Sequence, residues 1–249
     1  MARGPLRGRR SSLGLGVLAL VVGLAVAASG TGAVRSVTPS RDHGAAVAKI
    51  VVRTNVRSRP GAGPIVWRIP TTTHWGGGPQ QLLVLGRALD GRGREWLRVR
   101  LPIRPNGSTG WVNADHVRLS ASPYWIDVAL GARTITVYRR GTVARRFGAV
   151  IGAPATPTPT GLHAIYDPIA QPSPGGFLGP WALHLTAFSN VLDDYGGGPG
   201  RVAIHGRGGA SLRDPLGSAR SHGCIRVDNA NVVWLARHVP RGTPVMIRR

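Results

Sequence analysis

The segment Ser221-His222-Gly223-Cys224-Ile225-Arg226 contains the residues best suited to covalent chemistry. Cys224 is the single cysteine of the 249-residue chain, and a histidine stands two positions before it. A thiol is an effective nucleophile only as its thiolate, so it needs a nearby base or positive potential and backbone donors aimed at the oxyanion. Gly223 lets a carbonyl group approach the backbone closely. The segment therefore predicts a cysteine nucleophile.

Two histidines are candidates for the base that activates this thiol. His222 is close in sequence, whereas His205 ends the apolar run Val202-Ala203-Ile204. Residues i and i+2 of a strand share a face, but such near neighbours on one backbone rarely align as base and nucleophile. We therefore predict His205, on a neighbouring strand, as the proton acceptor and donor, with a backbone carbonyl orienting its second ring nitrogen. His222 is then a supporting group near the thiol.

The composition limits the structural classes and the binding partners to be considered. Lys and Arg number 32 against 10 Asp and Glu, a formal net charge of +22, and Lys49 is the only lysine. Such a charge attracts polyanions, and nucleic acid, anionic envelope polymers and phospholipid headgroups fit it equally well. The 36 glycines and 20 prolines indicate short strands and many turns. One cysteine excludes an internal disulfide, and a buried inert thiol is the alternative to a reactive one.

The first 29 residues have the layout of an export signal. Four arginines between positions 3 and 10 precede an uncharged apolar run from Leu13 to about Ala28, which is followed by small residues. This pattern predicts a cleaved signal peptide or, alternatively, an uncleaved signal-anchor. Either one places the rest of the chain outside the cytoplasmic membrane. Residues 30–46 are small, polar and aperiodic, which predicts a linker.

Residues 47–119 have the pattern of a compact β unit, with apolar runs, period-two alternation and an Asn106-Gly107 turn. The stretches Asn55-Val56-Arg57-Ser58-Arg59-Pro60, Trp96-Leu97-Arg98-Val99 and Gly110-Trp111-Val112 resemble the bacterial SH3-like module of cell-wall enzymes. The resemblance implies a small barrel that binds wall peptides or acts as a spacer. Its tryptophans could line a ligand groove, but filling the core is the expected role for most of them: Trp67, Trp75, Trp96 and Trp111.

Residues 124–249 predict a second, mostly β domain. Alternation over 125–138 predicts a hairpin with a third strand after it, and the proline-rich segment 154–161 predicts a loop. Long Gly/Pro-rich loops on both sides of a strand at 181–185 are expected to shape a cleft, and Asp193-Asp194 is expected to serve in a turn. After Cys224 we predict a short helix, capped by Asp228 or Asn229, and a last strand at 243–247.

The reactive residues resemble the signature of the L,D-transpeptidase catalytic domain, also called the YkuD domain. The resemblance is carried by His205-Gly206, a gap of fourteen residues and then Ser221 to Arg226. The segment 156–161 and the hairpin also look like that family, so the resemblance covers about 124–248. It implies a mainly β fold, here an SH3-like barrel followed by the catalytic domain, and an exported enzyme of the bacterial cell envelope that needs no cofactor or metal.

The resemblance also implies a role for each residue of the motif. Cys224 is the nucleophile that attacks the carbonyl of the third residue of a peptidoglycan stem peptide, D-alanine leaves with a proton from His205, and a thioester remains. The amine of a second stem peptide then gives a 3→3 cross-link. Arg226 is expected near the substrate carboxylates, and the remaining positions build the substrate and oxyanion site: Gly206, Ser221, His222 and Gly223.

Three alternatives remain at this point. Water in place of the amine makes the enzyme an L,D-carboxypeptidase. His205, His222 and Cys224 could be three ligands of zinc, although a fourth ligand and an acidic base are missing near the motif. The chain could also be a non-catalytic cell-wall-binding protein. The expected partners are donor and acceptor stem peptides and anionic envelope polymers, with no specific nucleic acid and a membrane only through an uncleaved anchor.

Overall fold

The computed structural model describes residues 1, 2, 4, 34–195 and 197–249. Most of the predicted export signal at 1–29 therefore lies outside the described residues. Within the described part, no helix has the length and apolar character needed to cross a membrane.

The first domain is an antiparallel β structure. Its sheet order is β4-β3-β7-β6-β5-β2-β8, with β1 paired to β5, and a short 3-10 helix, Ala114–His116, precedes β8. The strands are β1 (Arg35–Ser36), β2 (Ala45–Ile50), β3 (Thr54–Arg59), β4 (Ala62–Ile69), β5 (Gln81–Leu89), β6 (Glu95–Arg100), β7 (Thr109–Asn113) and β8 (Val117–Ser122).

The predicted linker over 30–46 is shorter than expected. Residues 35–36 pair with β5, the Val37 N–H donates to the Leu85 carbonyl at 3.1 Å, and Val37 packs against the apolar core. Ala45 already belongs to β2 and is buried. Residues 35–37 are therefore part of this sheet and its core, so the domain begins before position 47.

Three of the four tryptophans are core residues, as the sequence predicted. Trp96 and Trp111 are buried in a cluster with Ala88, and Trp67 packs against the main core of the domain. Trp75 is different because 45% of its surface is exposed. It lies in the loop 70–80 between β4 and β5, on the side of the second domain.

The second domain is built on another eight-stranded sheet, in the order β11-β10-β9-β18-β13-β14-β15-β17, beside a parallel pair of β12 and β16. The strands are β9 (Tyr124–Ala129), β10 (Thr134–Arg139), β11 (Thr142–Gly148), β12 (Ile151–Gly152), β13 (Gly161–Ala170), β14 (Trp181–Phe188), β15 (Arg201–His205), β16 (Ala219–Ser221), β17 (Ile225–Arg226) and β18 (Pro244–Arg248). A 3-10 helix spans Gly209–Arg213, and the helix α1 spans Asn229–His238.

Most elements predicted for this domain are present. The hairpin β9–β10, the third strand, the two long loops around β14 and the helix after Cys224 are confirmed. Asp228 is at the N-cap position of this helix, but its side chain makes no capping hydrogen bond. The sequence pattern did not predict β13, because Pro168 lies inside it, a residue that usually excludes a strand interior. Pro168 lies opposite Leu183 of β14, and the register of β13 against β14 shifts just before Pro168. On its other side β13 pairs with β18 only as far as Ala164, so Pro168 lies beyond that pairing.

The two domains are packed directly against each other. β8 continues to Ser122, so only Pro123 separates it from β9. Ala45 and Leu83 of the first domain form a buried cluster with Ala164 of the second. Buried polar contacts join the same faces, including one of 2.6 Å between the hydroxyls of Ser122 and Thr243.

Candidate active site

The floor of the main cleft is one face of three neighbouring strands. β15 is antiparallel to β14, with His205 opposite Ala182, and parallel to β17, with His205 opposite Arg226. Because alternate residues of a strand share a face, Cys224, two positions before Arg226, lies on the same face as His205. Both residues line a cavity of about 520 Å³. The sheet therefore brings the predicted nucleophile and the predicted base to one cleft.

His205 is fixed by the end of its own strand. Its Nδ1 lies 2.7 Å from the Gly206 carbonyl oxygen, which confirms that a backbone carbonyl orients the ring. A carbonyl can only accept, so Nδ1 carries the proton and Nε2 keeps its lone pair. The Asn229 side chain fixes the backbone two positions after His205. The Arg207 N–H donates to Asn229 Oδ1 at 2.7 Å, and the Arg207 carbonyl accepts from Asn229 Nδ2 at 2.9 Å. The first residue of α1 thus holds the backbone that follows the predicted base.

The thiol and the imidazole are both neutral in this environment. Burial raises the pKa of the Cys224 thiol, although a hydrogen bond from the Ala203 backbone and the Arg226 charge oppose that rise. Burial also lowers the pKa of His205 to about 4, against a smaller rise from the bond to Gly206. A neutral imidazole whose Nε2 is unprotonated, in the same cleft as a neutral thiol, can accept the thiol proton as the sulfur attacks.

The turn that carries Cys224 is closed by Ser221. The buried Ser221 hydroxyl donates to the Cys224 carbonyl at 2.5 Å and accepts from the Gly223 N–H at 3.2 Å. Gly223 has a φ of 108°, in the left-handed region that favours glycine. Ser221 and Gly223 therefore shape the backbone around the nucleophile, and the Gly223 N–H is already used within the protein.

The proline-rich loop supports the same turn from outside. The Thr158 hydroxyl donates to the Gly223 carbonyl and accepts from the Gly152 N–H, both at 2.9 Å. The Thr156 hydroxyl donates to the Ser221 carbonyl at 3.0 Å. The sequence predicted a loop here, but it did not indicate that these threonines support the nucleophile turn.

His222 lines the cleft but is exposed, unlike His205. Its ring lies against Tyr195, with centroids 5.1 Å apart, and its Nδ1 is 3.3 Å from the Tyr195 hydroxyl. Tyr195 belongs to the loop between β14 and β15, in which Asp194 accepts from the Gly197 N–H at 3.3 Å, a turn contact as predicted for this pair of aspartates. The contacts of His222 thus connect the nucleophile turn to that loop.

Arg226 lies in the cleft, but its charge is already paired. Only 3% of the residue is exposed, and its guanidinium forms an ion pair with Asp214. The guanidinium carbon is also 4.8 Å from the centre of the Phe177 ring, a cation–π contact. The ion pair with Asp214 therefore occupies the guanidinium that was predicted to contact substrate carboxylates, while its charge still lowers the pKa values of Cys224 and His205.

Among the other residues that line the cleft, four have aromatic rings and were not predicted to lie there: Trp75, Phe177, His184 and Tyr195. The two long loops around β14 were predicted to shape a cleft, and Phe177 and Tyr195 are the aromatic residues within them. His184 could have been found by period two, because it follows Ala182 on the floor of the cleft. Among the described residues no three His, Cys, Asp or Glu side chains are grouped to hold a metal ion.

Comparison with known proteins places these observations in a family. Residues 123–247 match the model of the YkuD family, described as the L,D-transpeptidase catalytic domain. The chain is 37% identical over 125 residues to the YkuD protein of Bacillus licheniformis and 36% identical over 127 residues to that of Bacillus subtilis. These matches cover 50% and 51% of this chain but only 66% and 67% of the relatives. The matched region contains every cleft residue described above except Trp75.

Among solved structures, this chain is similar to a mutant L,D-transpeptidase from Enterococcus faecium. The TM-score is 0.41 at 18% identity, and the match covers 81% of this chain and 76% of that one. An L,D-transpeptidase from Mycobacterium tuberculosis gives a TM-score of 0.42 at 18% identity, with 72% and 76% of the two chains covered.

Proposed function

Because this chain belongs to the YkuD family of L,D-transpeptidase catalytic domains, we propose that it uses Cys224 to transfer acyl groups between peptidoglycan stem peptides. One observation carries the proposal. Cys224, which directly precedes β17, and His205, at the end of β15, line one cavity, and the contact of His205 Nδ1 with the Gly206 carbonyl leaves Nε2 as the proposed base.

The first half-reaction forms a thioester. The sulfur of Cys224 attacks the carbonyl carbon of the third stem residue while its proton passes to Nε2 of His205. When the C–N bond breaks, the imidazolium gives this proton to the departing amine, and D-alanine leaves. The enzyme is then acylated through a C–S bond, and His205 is neutral again.

Backbone groups at the nucleophile turn stabilise the oxyanion. The Gly223 N–H is bonded to Ser221 Oγ, so the Cys224 N–H is the donor that this turn leaves for the substrate. Losing one such donor costs on the order of 10²–10³ in rate. The guanidinium of Arg226 lies on the same face and adds positive potential near the developing charge.

The second half-reaction decides between two products. A side-chain amine of another stem peptide attacks the thioester, His205 accepts its proton, and a 3→3 cross-link forms. If water attacks instead, the product is a shortened stem peptide and the enzyme is a carboxypeptidase. The cleft is open to solvent at His222 and Tyr195, which gives an acceptor access to the acylated cysteine.

The rest of the chain fits an enzyme of the bacterial cell envelope. The arginine-rich start followed by an apolar run supports export, as a signal peptide or a signal-anchor. The net charge of +22 supports attraction to the anionic polymers of the envelope. The first domain, with its short antiparallel strands, is proposed to be the SH3-like module that the sequence resembles.

The test compares the purified protein with its Cys224→Ala variant on a tetrapeptide stem substrate. We expect the parent protein to release D-alanine, to form a dimer of stem peptides, and to gain the mass of a carbapenem at Cys224 in an intact-mass measurement. The variant is expected to do none of these.

The products separate the alternatives. Release of D-alanine without any dimer identifies a carboxypeptidase. No release and no adduct from the parent protein contradicts the enzymatic proposal and favours a wall-binding protein. Activity that is lost on chelation and restored by zinc contradicts the thiol mechanism, since that mechanism needs no metal.

A further inference from the structure

The loop 70–80 of the first domain reaches into the cleft of the second. Its Trp75 lines the same cavity as Cys224 and His205. The indole ring centre lies 5.9 Å from that of His184, and the Arg201 guanidinium carbon lies 5.3 Å from it. One wall of the catalytic cleft is therefore supplied by a domain that lies outside the family match.

The loop is anchored where it meets the second domain. The Gly76 N–H donates to Asp167 Oδ2 at 2.9 Å, and the other oxygen of this fully buried carboxylate is 3.2 Å from Arg241. A Cβ at position 76 would lie 2.5 Å from Asp167 Oδ1, so only glycine permits the approach. The hydrogen bond to Asp167 thus fixes Gly76, and it thereby holds the indole of the preceding residue, Trp75, over the cleft.

The floor of the cleft leads from the nucleophile to this indole. Since His205 lies opposite Ala182 and His184 opposite Ala203, the two histidines are diagonal neighbours on one face, roughly 7–8 Å apart at this kind of position. Trp75 is the next group beyond His184. An extended peptide advances about 3.3 Å per residue, so a peptide of a few residues that reaches Cys224 along this floor also reaches Trp75.

The chemistry of this end suits an aliphatic chain better than a cation. Burial lowers the pKa of His184 to about 4, so its ring is neutral, and the Arg201 guanidinium donates to the carbonyls of Leu185 and Pro102 at 3.0 and 3.1 Å. The exposed surface of the Trp75 indole is large and apolar.

We propose that Trp75 is a substrate-binding residue, whose indole packs against the aliphatic part of the donor stem peptide whose carbonyl Cys224 attacks. The inference rests on the proposed function, because it requires a stem peptide in the cleft. It gives the first domain a direct part in choosing the substrate.

The test measures D-alanine release against tetrapeptide concentration for Trp75→Ala and Trp75→Phe. Truncating the indole is expected to raise KM by about five- to tenfold, the size of one aromatic contact, with kcat unchanged within about twofold. Phenylalanine is expected to restore most of the loss, because it keeps an aromatic face. Leu89→Ala, which removes another exposed apolar side chain of the same domain, is the matched control and is expected to leave KM unchanged.

A second readout separates binding from structure. The rate at which iodoacetamide alkylates Cys224 depends on the thiol and not on a peptide contact, so it is expected to stay the same in Trp75→Ala. A wild-type KM in Trp75→Ala overturns the inference, and so does an equal loss of alkylation and kcat. A change confined to dimer formation also overturns it, because the indole would then bind the acceptor. If the parent protein releases no D-alanine, it is the proposed function that fails.

Gly76→Ala tests the anchoring without removing the indole. The added methyl group must displace the loop from Asp167, so we expect KM to rise in the same direction as in Trp75→Ala. Gly91→Ala is its control, since a Cβ at position 91 meets no atom within 4 Å. An unchanged KM in Gly76→Ala overturns the claim that this contact places the indole.

Discussion

The residues around the cleft form two groups that differ in burial and in what holds them. The buried group is His205 and Arg226, of which 1% and 3% are exposed, together with the turn at Cys224. The exposed group is Trp75, Tyr195 and His222, and the first two are 45% and 44% exposed. The buried group is fixed by carbonyls, hydroxyls and a carboxylate of its own domain, whereas the exposed group comes from loops and is partly supplied by the other domain.

This difference assigns the two groups different tasks. Covalent chemistry requires a nucleophile and a base held within a narrow geometry, and the interior contacts of the buried group provide that. Side chains on loops can be exchanged without disturbing the sheet, which suits them to choosing among substrates. Substitutions should therefore change kcat in the buried group and mainly KM in the exposed group.

The largest effect in this comparison is expected at His205. His205→Asn keeps a polar side chain of similar size but removes the base, and we expect kcat to fall on the order of 10²–10⁴-fold. The measurement is D-alanine release at saturating tetrapeptide. Far-UV circular dichroism is the control for folding, and an activity close to that of the parent would show that the base is elsewhere.

The pH profile is expected to follow the same group. Protonated His205 cannot accept the thiol proton, and its pKa is lowered to about 4, so kcat/KM should stay nearly constant from pH 7 to 5. Below about pH 4 it should fall about tenfold per pH unit. A midpoint near 6.5, the ordinary value for histidine, would contradict the buried environment of the base.

The free energy of unfolding also decreases in a neighbouring pH range. This loss of stability has to be distinguished from the loss of activity. Burial lowers the pKa of His163, His184 and His205 to about 4 each. Unfolded histidines titrate near 6.5, so the unfolded chain binds more protons between about pH 6.5 and 4, and the free energy of unfolding decreases as the pH falls through that range. Return to pH 7 before the assay distinguishes reversible protonation from irreversible unfolding.

The placement of Cys224, His205 and His222 in one cleft was predictable from sequence, whereas the placement of Trp75 and Tyr195 and the pairing of Arg226 with Asp214 were not. Cys224 and His205 were identified from their residue types and from strand periodicity. Both of these are properties of a short stretch of sequence. The position of Trp75 depends on Asp167 and Arg241, which are 92 and 166 positions further along the chain. A Thr-Thr-Thr-His-Trp-Gly-Gly-Gly segment indicates a turn and nothing about the surface on which that turn docks.

The fold shows the same division. Hairpins such as β9–β10 follow from alternation, while β13 was missed because its proline contradicts the local rule and only its place between β18 and β14 makes it a strand. The start of the first domain was also missed, since residues 35–37 become ordered through pairing with β5 and not through their own pattern.

A smaller effect is expected where the proline-rich loop supports the nucleophile turn. Thr158→Val keeps the shape of the side chain but leaves the Gly152 N–H and the Gly223 carbonyl without their partner. Because these groups are buried, we expect the free energy of unfolding to decrease by about 1–3 kcal/mol, measured by urea unfolding. Thr142→Val, at an exposed position of β11, is the matched control and should change it by less than about 0.5 kcal/mol.

The smallest effect is expected at His222, and it bears most directly on the choice between the two histidines. His222→Asn removes a ring that lies against Tyr195 and one exposed hydrogen bond of 3.3 Å, so we expect D-alanine release to fall by less than about tenfold. Tyr195→Phe keeps the ring contact and should cost less.

If the two side chains act only on each other, the double variant should lose no more than His222→Asn alone, because both substitutions remove the same interaction. A loss at His222 equal to that at His205 would reverse the assignment of the base. Additive losses would mean instead that each side chain contacts the substrate separately, and the exposed group would then bind substrate at His222 and Tyr195 independently.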